Sequence, residues 1–239
     1  MISDVHSNLP ALEAVLESIE AAGPEEIWCL GDVVGYGAQP DECTALVRER
    51  CAFVLNGNHD LAVTGGIDAA TFSETARAAV DWTKANAASE TLEFLTGLSP
   101  EGEREGFGLF HASPRDPIWE YVLSGLTAEL CFDATNYRVS FIGHSHVALS
   151  LHRPEGEPAS GTTRREGSEL DISEGEWLLN PGSTGQPRDG DPRAAWLLLD
   201  TERQTAIYQR SEYDIAGAQA AIRAARLPES LAERLQYGQ

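Results

Sequence analysis

Residues 52–60 read Ala52-Phe53-Val54-Leu55-Asn56-Gly57-Asn58-His59-Asp60, an apolar run that stops abruptly on a glycine, an amide, an imidazole and a carboxylate. A short apolar run bounded by turn residues is the pattern of a buried strand. The same pattern predicts strands at Glu26–Leu30, Phe107–His111, Val139–Gly143, Val147–His152, Trp177–Asn180, Ala194–Asp200 and Thr205–Gln209. Between the early strands lie helical patterns. Leu12, Val15, Leu16 and Ile19 keep i, i+3, i+4, i+7 spacing, with Pro10 in the first turn and Gly23-Pro24 as a stop. Thr71-Phe72-Ser73-Glu74 reads as a capping box opening a helix that carries Ala76, Val80 and Trp82. Ile215 to Leu235, broken at Leu227-Pro228, reads as two short helices. Strands alternate with helices early and cluster after residue 138, which suggests an α/β fold with packed sheets and helices outside.

Length and charge narrow the functions. With 239 residues the chain can bury a core without staples, and residues 1–239 read as one domain. Lys and Arg number 17 against 38 Asp and Glu, a formal charge of −21. That balance argues against duplex nucleic acid and against an anionic membrane surface, since both need clustered cations. The four cysteines form no CxxC pair, and Cys29 within Ile27-Trp28-Cys29-Leu30 reads as a buried free thiol. No signal peptide or membrane-length apolar run is visible, so the expected location is cytoplasmic. Met1-Ile2-Ser3-Asp4 leaves about three residues for a first strand, against a usual ~5–6. That strand is expected to be truncated, or the true start to lie upstream.

The chemistry sits at strand ends. Of the 6 histidines, His6, His59, His111, His144 and His146 follow predicted strands beside Asp, Asn or Gly, and His152 stands apart as structural or exposed. Asp4-Val5-His6 and Gly31-Asp32 are weak signals singly, but with Gly57-Asn58-His59-Asp60, His111 and Gly143-His144-Ser145-His146 they make a strong one. In open α/β sheets ligands bind beyond the carboxyl ends of the strands. The D-x-H and H-x-H spacings are expected to place both ligands on one side of an extended segment, which has period two. Asp, Asn and His together suit Mn, Fe, Ni or Zn. A carboxylate such as Asp32 can bridge two ions, and such pairs stabilise the attacking and leaving oxygens of displacement at phosphorus.

These motifs, in this order, resemble those of the calcineurin-like metallophosphoesterases over residues 1–150. Asn180-Pro181-Gly182-Ser183 and Gln186-Pro187-Arg188-Asp189 extend the likeness to a bacterial phosphodiesterase-like branch. The resemblance implies a four-layer α/β/β/α sandwich with a dinuclear site at the C-terminal ends of the strands. It implies one divalent transition-metal ion on Asp4, His6, Asp32 and His146, and a second on Asp32, Asn58, His111 and His144. His59 would protonate the leaving group, oriented by Asp60, while a metal-activated water attacks phosphorus. The reading is therefore hydrolysis of a small phosphodiester or nucleotide-type substrate. A protein serine/threonine phosphatase and a non-catalytic binding member of the same fold are the alternatives. Against the first, Gly31-Asp32-Val33-Val34-Gly35-Tyr36-Gly37 lacks the arginine that grips a phosphoprotein phosphate.

Several residues keep two readings. Tyr36 either stacks on a base or packs beside Gly35. Asn180–Gly185 either forms a tight turn or lines the phosphate site. Arg188 either pairs with Asp189 or Asp191 or binds an anion. Asn8 either caps a helix or supports a ligand. Residues 153–176 read as a solvated loop or hairpin arm, with a lid over the site as the sharper alternative.

Overall fold

Ala11, Leu12, Val15, Leu16 and Ile19 form the buried face of helix α1 (Leu9–Ala22), as the spacing predicts, in a computed structural model that describes residues 1–239. Asn8 caps it by accepting from the Ala11 amide, and Gly23 closes it in the left-handed region at φ 69°. The other helices are α2 (Pro40–Arg50), α3 (Asn58–Thr64), α4 (Glu74–Asn86), α5 (Ser89–Thr96), α6 (Gly125–Phe132), α7 (Ile215–Ala224) and α8 (Glu229–Glu233). The strands are β1 (Trp28–Cys29), β2 (Phe53–Val54), β3 (Glu101–Arg104), β4 (Phe107–Phe110), β5 (Val139–Phe141), β6 (Ala148–Arg153), β7 (Ser160–Thr163), β8 (Glu169–Asp171), β9 (Glu176–Pro181), β10 (Ala194–Asp200) and β11 (Thr205–Ser211).

Two sheets form. One has the order β3-β4-β5-β9-β6-β7, with β4, β5 and β9 parallel. The other joins β2 and β1 to β10, β11 and β8 through the first residues of the chain. Ile2 bridges Cys29 in parallel, while the Leu197 amide donates to the Met1 carbonyl at 3.0 Å. Residues 1–2 form no strand of their own and link β1 to β10 through this bridge and bond.

Strand alternation sorts the side chains into layers. Leu30, Leu55, Phe107, Phe141, Leu179, Leu197 and Tyr208 fill the space between the sheets. On the outer face of one sheet Trp196 packs with Val15, Cys43 and Val47 of α1 and α2. On the outer face of the other, Leu151 and Leu178 meet Ala128, Cys131 and Phe132 of α6. The result is the expected α/β/β/α sandwich. The four cysteines are free, and no helix is long and apolar enough to cross a membrane.

Three local expectations change. Strands predicted at Glu26–Leu30 and Ala52–Asn56 shrink to two residues each, because their ends bend into the site. The cap of α4 is Ser73, whose Oγ accepts from the Ala76 amide, and Thr71 instead ends a 3₁₀ turn at Ala69–Thr71. The 153–176 stretch is in part the hairpin arm expected, since β7 pairs antiparallel with β6, and it is not a lid. It supplies β7 to one sheet and β8 to the other, closing an edge of each.

Candidate metal centre

The loops that carry the candidate ligands leave their strands through strained backbone. Asp4, His6, Asp32, His144 and His146 all have φ between 51° and 62°. Left-handed backbone costs a non-glycine residue on the order of 1–3 kcal/mol, and it persists only where the surroundings enforce it. The D-x-H and H-x-H pairs therefore converge by left-handed turns and not by the alternation of an extended strand. Close approach does the rest: a Cβ at Gly57 would overlap both the Asp32 carboxylate and the His111 ring.

Asp4, His6, Asp32 and His146 bring one donor atom each within 4.8 Å of one another, and so do Asp32, His111 and His144. Asn58 joins the second group, its Oδ1 lying 3.2 Å from His111 Nε2. Imidazole orientation is fixed from behind. His6 Nδ1 contacts the Val34 carbonyl at 3.1 Å, His111 Nδ1 that of Leu30 at 2.9 Å, and His146 Nδ1 that of Gln186 at 2.7 Å. A carbonyl only accepts, so each Nδ1 carries the hydrogen and each Nε2 is left as a bare lone pair. His6 Nε2 and His146 Nε2 then face each other at 3.1 Å. Asp32 Oδ2 sits 3.6 Å from His6 Nε2 and 3.5 Å from His111 Nε2, without a hydrogen bond. His144 Nε2 is also buried without a partner. Converging lone pairs left without a hydrogen bond are unfavourable when buried, and a cation satisfies them together. The donor set fits divalent transition metals.

Electrostatics agree. Burial pushes the Asp4 carboxyl up to about 7. Burial and the nearby Asp60 carboxylate hold Asp32 well above the carboxylate range. Burial lowers His6, His59 and His146 well below the ordinary imidazole value and takes His144 down to about 3. Neutral imidazoles are the metal-binding form.

His59 lies in the first turn of α3, its ring 4.3 Å from Tyr36, 4.9 Å from Phe72 and 4.9 Å from His6. A Cβ at Gly35 would overlap His59 Nδ1, so only glycine lets the ring in. Asp60 does not orient it. Its carboxylate accepts instead from the amides of Val33, Val34 and Gly57 at 3.0–3.1 Å, tying the Asp32 loop to α3, and His59 Nδ1 has no partner.

Above the centre lies a cleft of about 500 Å³, whose lining includes Asp32, Asn58, His144 and His146 with Tyr36, Phe72, Trp119, Tyr121, Arg188 and Arg234. Tyr121 stacks on His144 at 4.3 Å. Residues 180–185 do not line the cleft; they form the turn, with the Gly182 amide donating to Asn180 Oδ1, and it buttresses the ligand loops. Asn180 donates to the Gly143 carbonyl, Ser183 to that of Asp4, and Asn8 reaches Gly185 as well as capping α1. Arg188 does not pair with its acidic neighbours, because Asp189 pairs with Arg210 and Asp191 with Arg193. His152 stands apart, stacked on Trp177. Sequence reasoning missed Trp119 and Tyr121, although half-exposed aromatics in a loop after His111 are a usable signal. Arg234 carried no signal among the arginines of the last helices.

A two-sheet sandwich with clustered Asp and His at its strand ends defines a metallophosphoesterase type of protein. Residues 1–204 match the calcineurin-like phosphoesterase superfamily domain, and the chain belongs to that family. The match ends before Arg234. The chain is 39% identical over 246 residues to the uncharacterized protein MJ0912 of Methanocaldococcus jannaschii, covering 100% of this chain and 97% of that one. The crystal structure of a metallophosphoesterase from Sphaerobacter thermophilus superposes with a TM-score of 0.90 at 42% identity, covering 100% and 98% of the two chains. Hypothetical protein PH1004 of Pyrococcus horikoshii shares the fold at a TM-score of 0.79 and 21% identity, covering 100% and 97%.

Proposed function

We propose that the chain hydrolyses small phosphoesters at a dinuclear metal site. Asp4, His6, Asp32 and His146 would hold one ion, and Asp32, Asn58, His111 and His144 the other. The observation that carries this reading is Asp32 Oδ2, buried without a hydrogen-bond partner between two groups of converging ligand atoms. When bound, two divalent ions polarise phosphoryl oxygens and make water acidic enough to serve as the nucleophile.

The chain's own groups supply the rest. His59 delivers a proton to the leaving oxygen. It does so from Nε2, because Nδ1 is enclosed against Gly35. Burial and then Arg188 keep His59 neutral, and the negative charge of a bound phosphate counters Arg188 and favours the charged ring. Asp60 acts through the backbone, holding the Asp32 loop and the start of α3 in register. Arg188 brings from another part of the chain the cation that residues 31–37 lack.

Substrate class rests on the walls. Tyr36, Phe72, Trp119 and Tyr121 offer planar faces around the cleft, which suit a base or another flat flanking group more than an extended phosphopeptide. The test is kcat/KM with manganese for bis-nitrophenyl phosphate, a dinucleoside polyphosphate and a phosphopeptide. The first two should exceed the third, and a clear preference for the phosphopeptide overturns the substrate class.

A further inference from the structure

Arg188 and Arg234 both face the cleft, and neither has a carboxylate partner in a chain with 38 acidic residues. They share one neutral acceptor. Arg188 Nη2 donates to Gln186 Oε1 at 2.9 Å and Arg234 Nη1 to the same oxygen at 3.3 Å. Arg188 Nε is buried without any acceptor, and the guanidinium carbon stands 5.6 Å from the Tyr36 ring centre. Two cations on a single amide oxygen repel each other. Burial and the charge of Arg188 accordingly pull the Arg234 guanidinium down.

The pair is built, not incidental. Arg234 opens a 3₁₀ turn (Arg234–Tyr237) seated by buried Leu231, Ala232 and Leu235. The turn's end is fixed where the Gly190 amide donates to the Gly238 carbonyl. Gln186, which gathers the two arginines, also accepts His146 Nδ1 on its backbone carbonyl, so the pair is registered against the metal ligands. Guanidinium forks match phosphoryl oxygens, and a phosphodiester with a single negative charge leaves one fork without use.

We propose that Arg188 and Arg234 form a subsite for a second phosphoryl group, so that the preferred substrate contains a phosphoanhydride, as in nucleoside diphosphates or dinucleoside polyphosphates. This rests on the hydrolase reading above. One water cleaves one P–O bond: its hydroxyl goes to the attacked phosphorus and its proton to the leaving oxygen, while the second phosphoryl group stays on the arginines.

The experiment is calorimetric titration of manganese-loaded protein with adenosine monophosphate and with adenosine α,β-methylene diphosphate, alongside turnover of bis-nitrophenyl phosphate and a dinucleoside polyphosphate. The wild type should bind the diphosphate roughly tenfold or more tightly than the monophosphate, as charge-assisted hydrogen bonds allow. Arg234→Gln should cut that ratio to about twofold and lower the polyphosphate-to-diester ratio of kcat/KM to match. Arg234→Lys, with charge but no fork, should fall between and decides the matter if Arg234→Gln does not fold. A wild type without diphosphate preference, or a ratio untouched by either variant, overturns the subsite. Preference retained with no turnover of any ester overturns the hydrolase reading alone.

Discussion

The two groups of candidate ligands share Asp32 but are supported differently. Around Asp4, His6 and His146 every donor is held from behind. Both rings are anchored to carbonyls, and Asp4 accepts from the Ser3 hydroxyl at 2.6 Å and from the His144 amide at 3.1 and 3.2 Å. Around Asn58, His111 and His144, His111 is held by the Leu30 carbonyl and His144 by the backbone of Trp119, a residue of the exposed loop after His111. His144 leaves Nε2 unpartnered beneath Tyr121, a ring 50% exposed. A fully desolvated set held from several strands binds an ion with less reorganisation than one flanked by an exposed loop. Under the dinuclear reading, one ion should therefore be retained and the other exchangeable.

Removing the shared element abolishes the contrast. Asp32→Asn should lose both ions and on the order of 10³-fold or more in kcat, since ions at such a site contribute several kcal/mol to the transition state. Elemental analysis with kinetics checks this, and two retained ions would break the bridging assignment. His59 belongs to neither group, so His59→Gln should keep both ions and lose roughly 10²–10⁴-fold in kcat, less for nitrophenolate leaving groups. An equal loss across leaving groups would point to positioning instead.

Smaller effects sharpen the comparison. Tyr121→Ala should weaken only the second set, by roughly tenfold in metal affinity as for other groups that orient ligands, and so separate the two steps of a chelator titration further. Acidity should act the opposite way. A ligand with a raised pKa must lose its proton before it binds, so affinity falls as pH drops below that value. Asp4 is pushed up to about 7 while His144 is taken down to about 3. Both sets share the raised Asp32, but only the first adds Asp4, so between pH 8 and 6 its affinity should fall more steeply. Chelation curves at the two pH values measure it, and parallel shifts would refute the asymmetry.

The contrast also explains what was legible in the sequence. The residues that gather at the candidate site were readable because each lies beside a strand end, where residue type and local order coincide. The strand-to-helix alternation and the face of α1 were readable for the same reason of short range. What failed was geometry imposed from afar. The left-handed turns at Asp4 and His6 depend on Gly185 and Ser183 meeting the Asp4 carbonyl, far along the chain. Asp60 was misread because three amides from two segments claim its carboxylate. The edge strand β7 carries no apolar alternation because all four of its residues face solvent, whereas Leu170 and Ile172 alternate in and after β8 and were a usable signal. Arg234 escaped because its meaning comes only from where α7 and α8 place it.

The bond from Asn8 to the Gly185 carbonyl spans 177 positions. At roughly 5–20 residues per second, a ribosome takes about 10–35 s to supply the second partner after the first. For that interval the emerging chain exposes Asp4, His6 and Asp32 without the segment that locks their backbone. The candidate metal centre is thus a late product of biosynthesis, and under the dinuclear reading nascent chains halted before residue 185 should capture ions only weakly.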